Sequence, residues 1–108
     1  MVSEEVATEL GGGLRDYELT VIINPEITED KLEARINSIS QFVSERGGTV
    51  SEVQRWGKKR LAYPIKQSLE GIYALARFTL RPASGKELEA DLRISGEVLR
   101  HLLIRLDS

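Results

Sequence analysis

Apolar and polar positions alternate along the first patterned stretch of the chain. Four apolar residues occupy every second position: Tyr17, Leu19, Val21 and Ile23. This period of two predicts a β-strand with one buried face. Asn24-Pro25 follows directly and is a turn signal, so we expect the strand to end there.

The next apolar residues recur at helical spacing. Four of them form one stripe of a predicted helix: Leu32, Ile36, Ile39 and Val43. Thr28 is suited to cap the helix N-terminus, and Glu29 and Asp30 carry negative charge in its first turn. Gly47 and Gly48 mark the end of the helix.

The segment from Thr49 to Tyr63 is rich in strand-forming residues but contains Gly57, which predicts a long strand with a bulge. Pro64 cannot donate a ladder hydrogen bond, so we expect the strand to end there or to lie at a sheet edge. Residues 66–70 are predicted to link it to another strand, which runs from Gly71 to Leu80.

A second helix and a last strand complete the pattern. Ser84 and Glu87 have the spacing of a capping box for a helix that contains Leu88 and Leu92 and ends near Gly96. The segment 98–106 is apolar at both parities, so periodicity predicts a strand without choosing its inward face. The side of the sheet on which His101 lies stays open for the same reason.

The element order is strand, helix, strand, strand, helix, strand. This order predicts an α+β fold, a ferredoxin-like βαββαβ split sandwich in which two helices cover one face of a four-stranded antiparallel sheet. The other sheet face is left open, with Tyr73, Leu75 and Arg77 predicted to point out from the third strand. We expect residues 1–13 to form a disordered tail and residues 14–108 to form one domain.

Composition excludes several kinds of chemistry. The chain has no cysteine, one histidine and a formal net charge of -2. Disulfides and thiolate metal sites are therefore excluded, and no residue spacing suggests a catalytic set, so we expect no enzyme activity, cofactor or metal. The sequence shows neither a signal peptide nor a membrane-spanning run, which predicts a soluble cytoplasmic protein.

Positive charge is concentrated in one segment. Residues 54–69, called here the basic strip, contain five cations and no acid: Arg55, Lys58, Lys59, Arg60 and Lys66. On a mildly acidic chain, such a strip predicts one directed contact with an anion. Stacking of RNA bases on the third strand is disfavoured, because Glu70 and Ala74 stand where RNA-recognition domains carry a cation and an aromatic ring.

Several motifs together resemble a known family. They are Trp56-Gly57, the run from Leu61 to Ile65, Gly71-x-Tyr73, Arg15-x-Tyr17 and the segment 98–100. Over residues 15–106 the chain resembles the bacterial small-subunit ribosomal protein S-six family. The resemblance implies a ferredoxin-like domain that binds the central domain of small-subunit ribosomal RNA together with ribosomal protein S-eighteen, on the ribosome and without enzyme activity.

Chemistry and resemblance together select the candidate contact residues. The candidates for RNA binding are Arg15, Tyr17, Lys58, Lys59, Arg60 and Lys66. The candidates for contact with the partner protein are Tyr63, Tyr73 and Leu75. Strand alternation places Lys58 and Arg60 on one side and Lys59 on the other, unless the bulge resets the count. We expect Leu61 and Trp56 to pack in the core.

A different class of function is compatible with the same fold. A homodimeric regulatory module would bind a small molecule in a polar pocket at its interface. The connection after the first strand, residues 24–28, offers no glycine-rich ligand loop. This alternative therefore ranks behind RNA binding.

Overall fold

The computed structural model describes residues 13–106, which fold into one sheet and two helices. In chain order the elements are β1 (Arg15–Ile23), α1 (Glu29–Glu45), β2 (Val50–Ile65), β3 (Ser68–Leu80), α2 (Pro82–Ile94) and β4 (Val98–Arg105). The strand order is β2-β3-β1-β4, and every neighbouring pair is antiparallel. The predicted ferredoxin-like fold is confirmed. The predicted tail, residues 1–13, lies outside the described residues except for Gly13.

Both helices pack on the same face of the sheet. The alternating apolar residues of β1 are buried there, together with Phe78 and Leu80 of β3 and the apolar stripe of α1. In β4, His101 stands opposite Val21 of β1, so its side chain lies on the helix-covered side. There His101 Nε2 is 3.7 Å from a carboxylate oxygen of Glu89. The strand register thus shows that His101 faces the helices, which periodicity did not decide.

Helix α1 begins and ends where the sequence predicts. Thr28 Oγ1 accepts a hydrogen bond from the Lys31 amide at 3.3 Å. This bond satisfies one of the amides that have no partner within the first turn. All four residues of the predicted stripe are buried. At the other end the Gly48 amide donates to the Val43 carbonyl oxygen at 2.9 Å, which closes the helix.

The predicted start of α2 is wrong. The helix begins at Pro82, Arg81 is its N-cap residue, and no side chain caps it. Ser84 therefore lies inside the first turn and does not form a capping box with Glu87. Proline at the first helical position explains the earlier start, because its fixed φ suits a helix and its missing N–H needs no cap. Leu88 and Leu92 are buried as predicted.

The link between β2 and β3 is shorter than the sequence predicts. Only Lys66 and Gln67 separate the strands, because Ile65 already pairs with Ser68. Both linking residues have positive φ, 48° and 69°. A two-residue hairpin that matches the strand twist needs this conformation at both positions, which asparagine and glycine usually supply. Lys66-Gln67 is not such a pair, so the turn was missed.

Strand β2 is an edge strand whose pairing with β3 is interrupted three times, first between Val50 and Glu52. Arg55 pairs with Ala74 and Gly57 with Tyr73, which leaves Trp56 as an extra residue and confirms the predicted bulge. Farther along, four residues from Leu61 to Pro64 stand opposite the single residue Leu69. Pro64 is tolerated here because an edge strand has one side without a pairing partner, as predicted.

Candidate nucleic-acid interface

The register of β2 distributes the basic strip over both sides of the edge strand. Lys58 stands opposite Ile72, whose side chain packs against the core, and Arg60 shares its side. Lys59 stands opposite Gly71, whose missing Cβ would meet Ile22 on the open sheet face. Cations therefore project to both sides of one exposed strand.

Most cations of the strip are not neutralised by the fold. Arg55 is the exception, since its Nη2 lies 2.8 Å from a carboxylate oxygen of Glu33 in α1. The others are exposed: Lys58, Lys59, Arg60 and Lys66. Within residues 13–106, no carboxylate lies within ion-pair distance of these four. Their charge is thus available to an external anion.

The far end of the β2–β3 hairpin touches the start of β4. Lys66 Nζ lies 3.4 Å from the Val98 carbonyl oxygen, to which it donates. Arg100 Nη1 donates to the Tyr63 hydroxyl at 3.0 Å. These contacts add Arg100 to the cations near the hairpin. The sequence did not indicate that Arg100 lies near the hairpin, because this contact between distant segments is not visible in local spacing.

Arg15 and Tyr17 lie apart from the basic strip. Arg15 pairs with Leu80 at one end of β1. The basic strip lies near the other end, because Lys58 pairs with Ile72 and Ile72 pairs with Ile23. Eight residues of extended chain separate these ends by about 27 Å. Tyr17 is 7% exposed, so its ring has almost no surface to offer RNA. Its placement in the core corrects the expectation that it contacts RNA.

The open sheet face carries apolar side chains that differ from the predicted set. Tyr73 is half-buried on this face, but Leu75 is only 6% exposed and has little area to offer a partner. Leu102 and Ile104, called here the β4 patch, are 49% and 42% exposed. They stand opposite Thr20 and Glu18 of β1, which places them on the open face. In the sequence, these two residues were indicated only by the apolar side chains that β4 carries at both odd and even positions.

The two residues expected in the core have different environments. Leu61 is buried, although it lies on the open side, close to the position that a Cβ of Gly71 would occupy. Trp56 is 45% exposed, so the expectation that it packs in the core is wrong. Its indole nitrogen donates to Gln54 Oε1 at 2.7 Å, and Lys59 Nζ stands 5.2 Å from its ring centroid.

Residues 13–106 contain neither a metal-binding cluster nor a membrane-spanning helix. No group of three or more histidine or acidic side chains there is arranged to hold a metal ion. Neither helix in this part of the chain is long and apolar enough to cross a membrane. The basic strip with its neighbouring aromatic residues therefore remains the principal candidate site.

Similarity to known proteins identifies the family of this chain. The sequence pattern of the family described as Ribosomal protein S6 matches residues 16–105. The chain belongs to this ribosomal protein S6 family. It is 39% identical over 107 residues to small ribosomal subunit protein bS6 of Dehalococcoides mccartyi, covering 99% of this chain and 98% of the relative. It is 42% identical over 92 residues to bS6 of Paenarthrobacter aurescens, covering 85% and 91%.

Solved structures agree with this family assignment. The crystal structure of 30S ribosomal protein S6 from Thermotoga maritima superposes with a TM-score of 0.80 at 31% identity, covering 86% of this chain and 88% of that one. The C-terminal domain of MgtC from Mycobacterium tuberculosis has a TM-score of 0.59 at 20% identity, which shows a shared fold alone. Membership in the S6 family agrees with a structural role in place of an enzymatic one.

Proposed function

We propose that this protein is a structural component of the bacterial small ribosomal subunit, where it binds the central domain of small-subunit rRNA together with ribosomal protein S-eighteen. Family membership supports the ribosomal role. The observation that carries RNA binding is a set of four exposed cations on β2 and its hairpin that have no carboxylate partner within residues 13–106, in a chain whose formal net charge is -2. Such an uneven charge distribution orients a protein toward a polyanion.

The cations bind phosphates from an edge strand. Lys59 projects to the open side of β2, and Lys58 and Arg60 project to the helix side. An RNA backbone that runs along this edge meets charge on both sides of the strand. Phosphate contacts of this kind supply affinity and position without reading the base sequence. Sequence preference then has to come from RNA shape and from additional contacts.

The partner protein docks on a different part of the sheet. The β4 patch exposes two large apolar residues on the open face, with Tyr73 half-buried on the same face. Apolar surface of this kind marks protein contacts more often than RNA contacts. Strands β2 and β4 are the two edges of the sheet, and the hairpin contacts β4 at Val98 and Arg100, which precede the β4 patch along the strand. RNA and partner can therefore be bound at the same time.

A charge reversal tests the RNA contact. The double variant Lys59→Glu with Arg60→Glu is expected to bind a central-domain rRNA fragment at least about tenfold more weakly, because two attractive charges become repulsive. If the wild type contacts about four phosphates, raising salt from roughly 50 to 200 mM weakens its binding on the order of a hundredfold. The variant should show a salt slope smaller by about two.

The matched control is a double variant with the same change of charge on a different surface of the protein. Lys86→Glu with Arg93→Glu reverses two exposed cations on α2, on the helix-covered side of the protein. This control should retain wild-type RNA affinity, and thermal unfolding should show that both double variants are folded. Equal RNA binding by wild type and the Lys59, Arg60 variant would refute the proposed role of the basic strip.

A further inference from the structure

Trp56 is a large aromatic residue held in a fixed position on an exposed edge. Its indole N–H donates to Gln54 Oε1 at 2.7 Å, and the Gln54 amide donates in turn to a carboxylate oxygen of Glu52. Arg77 Nη1 then donates to Glu52 at 3.1 Å. This chain of bonds orients the ring before any ligand arrives. A pre-oriented ring loses little side-chain entropy on binding.

The β-bulge brings a cation to this ring. In a regular strand, residues three apart point to opposite faces. The extra residue between Arg55 and Gly57 resets the alternation, so Trp56 and Lys59 lie on the same side and the Lys59 ammonium stands 5.2 Å from the ring centroid. Gly57 has φ +81°, which an L side chain rarely adopts, although a Cβ there would meet nothing within 4 Å. Glycine is thus needed for the bulge geometry and not for space.

The surroundings of the ring indicate the class of ligand. Nearly half of Trp56 is exposed. Lys59 is the cation of the basic strip that shares its side of β2, while the Glu52 carboxylate lies at the far end of the hydrogen-bond chain from the indole. A purely apolar partner surface would face unfavourable desolvation of these charges. The apolar β4 patch, which suits a protein partner, lies at the opposite edge of the sheet. An aromatic face beside an ammonium group complements a nucleotide, which carries a base and a phosphate.

We propose that Trp56 is a stacking platform for one unpaired RNA base and that Lys59 binds the phosphate next to that base. This inference rests on the proposed function, because it assigns an additional contact to the same RNA. It also explains why the ring is oriented by hydrogen bonds while it stays exposed. Stacking is tolerant of base identity, so the site selects an unpaired nucleotide over a base-paired one.

Intrinsic fluorescence can report on the site directly, because Trp56 is the only tryptophan in the chain. Titration with a central-domain rRNA fragment should quench this fluorescence, and a single-stranded oligouridine should do so at higher concentration. Trp56→Ala should weaken binding of the rRNA fragment about fivefold to a hundredfold, as expected when one stacked base is lost. The salt slope should not change, since no charge is removed.

Replacing Trp56 by an aromatic or by an aliphatic residue distinguishes base stacking from apolar packing. Trp56→Phe keeps an aromatic face and should retain most of the affinity, whereas Trp56→Leu keeps apolar volume and should lose it. Leu69→Ala is the matched control, because Leu69 is a second exposed apolar residue of the basic strip. It should leave RNA affinity unchanged. The comparison of Phe with Leu at position 56 remains decisive if the alanine variant does not fold.

The outcomes distinguish failure of the stacking site from failure of the proposed function. If Trp56→Ala binds RNA like wild type while Lys59→Glu with Arg60→Glu binds weakly, stacking is wrong and the phosphate contact stands. If neither variant loses affinity, both proposals fail. If Trp56→Ala loses affinity for ribosomal protein S-eighteen but not for RNA, the ring is a protein anchor, and the stacking proposal is overturned.

Discussion

At the scale of single residues, Thr28 shows how one side chain sets the start of a helix. Its hydroxyl oxygen accepts from the Lys31 amide. Thr28→Ala should lower the free energy of unfolding by about 1 kcal/mol, because this amide loses its partner at the helix terminus. Thr28→Ser keeps the acceptor and should lie close to wild type in chemical denaturation. Equal stabilities of the alanine and serine variants would show that the cap does not contribute.

Two aromatic residues show that residue type alone does not predict whether a side chain is buried. Tyr17 was expected to contact RNA and is buried, whereas Trp56 was expected in the core and is exposed. A Cβ at Gly85 of α2 would come within 3.6 Å of the Tyr17 ring, so the helix covers this side chain. Trp56 lies on the edge strand β2, where neither helix of residues 13–106 covers it to a similar degree. Residue type states how much apolar area a side chain has, but the neighbours that cover it come from distant parts of the chain.

At the scale of elements, the loop between α1 and β2 depends on a close backbone approach at Gly48. A Cβ at this position would lie 1.9 Å from the Thr79 carbonyl oxygen. Because the neighbour is backbone, rotation of a side chain cannot relieve the clash. Gly48→Ala should therefore lower the free energy of unfolding by about 1–3 kcal/mol or more, measured by chemical denaturation.

Gly96 provides the matched control for Gly48. It also lies in a loop, and a Cβ there would meet nothing within 4 Å. Gly96→Ala should leave stability nearly unchanged. If the two alanine variants had the same stability, the close approach at Gly48 would not constrain the loop.

Element types were predictable, whereas several boundaries were not. The first strand and the first helix were identified by the periods of two and 3.6, which follow from backbone geometry. The other elements were predicted mainly from residue composition and from turn and capping signals. The start of α2 was misassigned because Ser84 and Glu87 have capping-box spacing, whereas the actual N-cap residue is Arg81, three residues before Ser84. The two-residue hairpin was missed because Lys66 and Gln67 adopt positive φ without the usual turn residues. Pairing of the long strands imposes that conformation.

At the scale of the whole molecule, the arrangement of the sheet separates two proposed surfaces. The basic strip lies on edge strand β2 and the hairpin that follows it, and the β4 patch lies on the other edge strand. Leu102→Glu should weaken binding of ribosomal protein S-eighteen by at least about tenfold, because a charge enters an apolar contact. It should leave binding of the rRNA fragment alone unchanged. Titrations with each partner separately measure the two effects.

RNA binding in the presence of the partner protein tests this model more stringently than separate titrations with each partner. We expect wild type to bind RNA more tightly in the presence of the partner protein, and Leu102→Glu should lose this gain. Ile94→Glu is the control, because Ile94 is 83% exposed on α2 and lies away from the open sheet face. Equal RNA affinity of wild type with and without the partner would contradict joint binding.

The sequence by itself determined the element types, the ferredoxin-like fold, the family resemblance and the concentration of cations between residues 54 and 69, because these properties depend on local order and composition. Tertiary structure alone decided which cations lack carboxylates, which aromatic rings are covered and which residues share a side of the sheet. The pair formed by Trp56 and Lys59 illustrates the difference. Both residues and the glycine between them are visible in the sequence, but their contact exists because the pairing of β2 with β3 leaves Trp56 as an extra residue and thereby turns Lys59 to the same side.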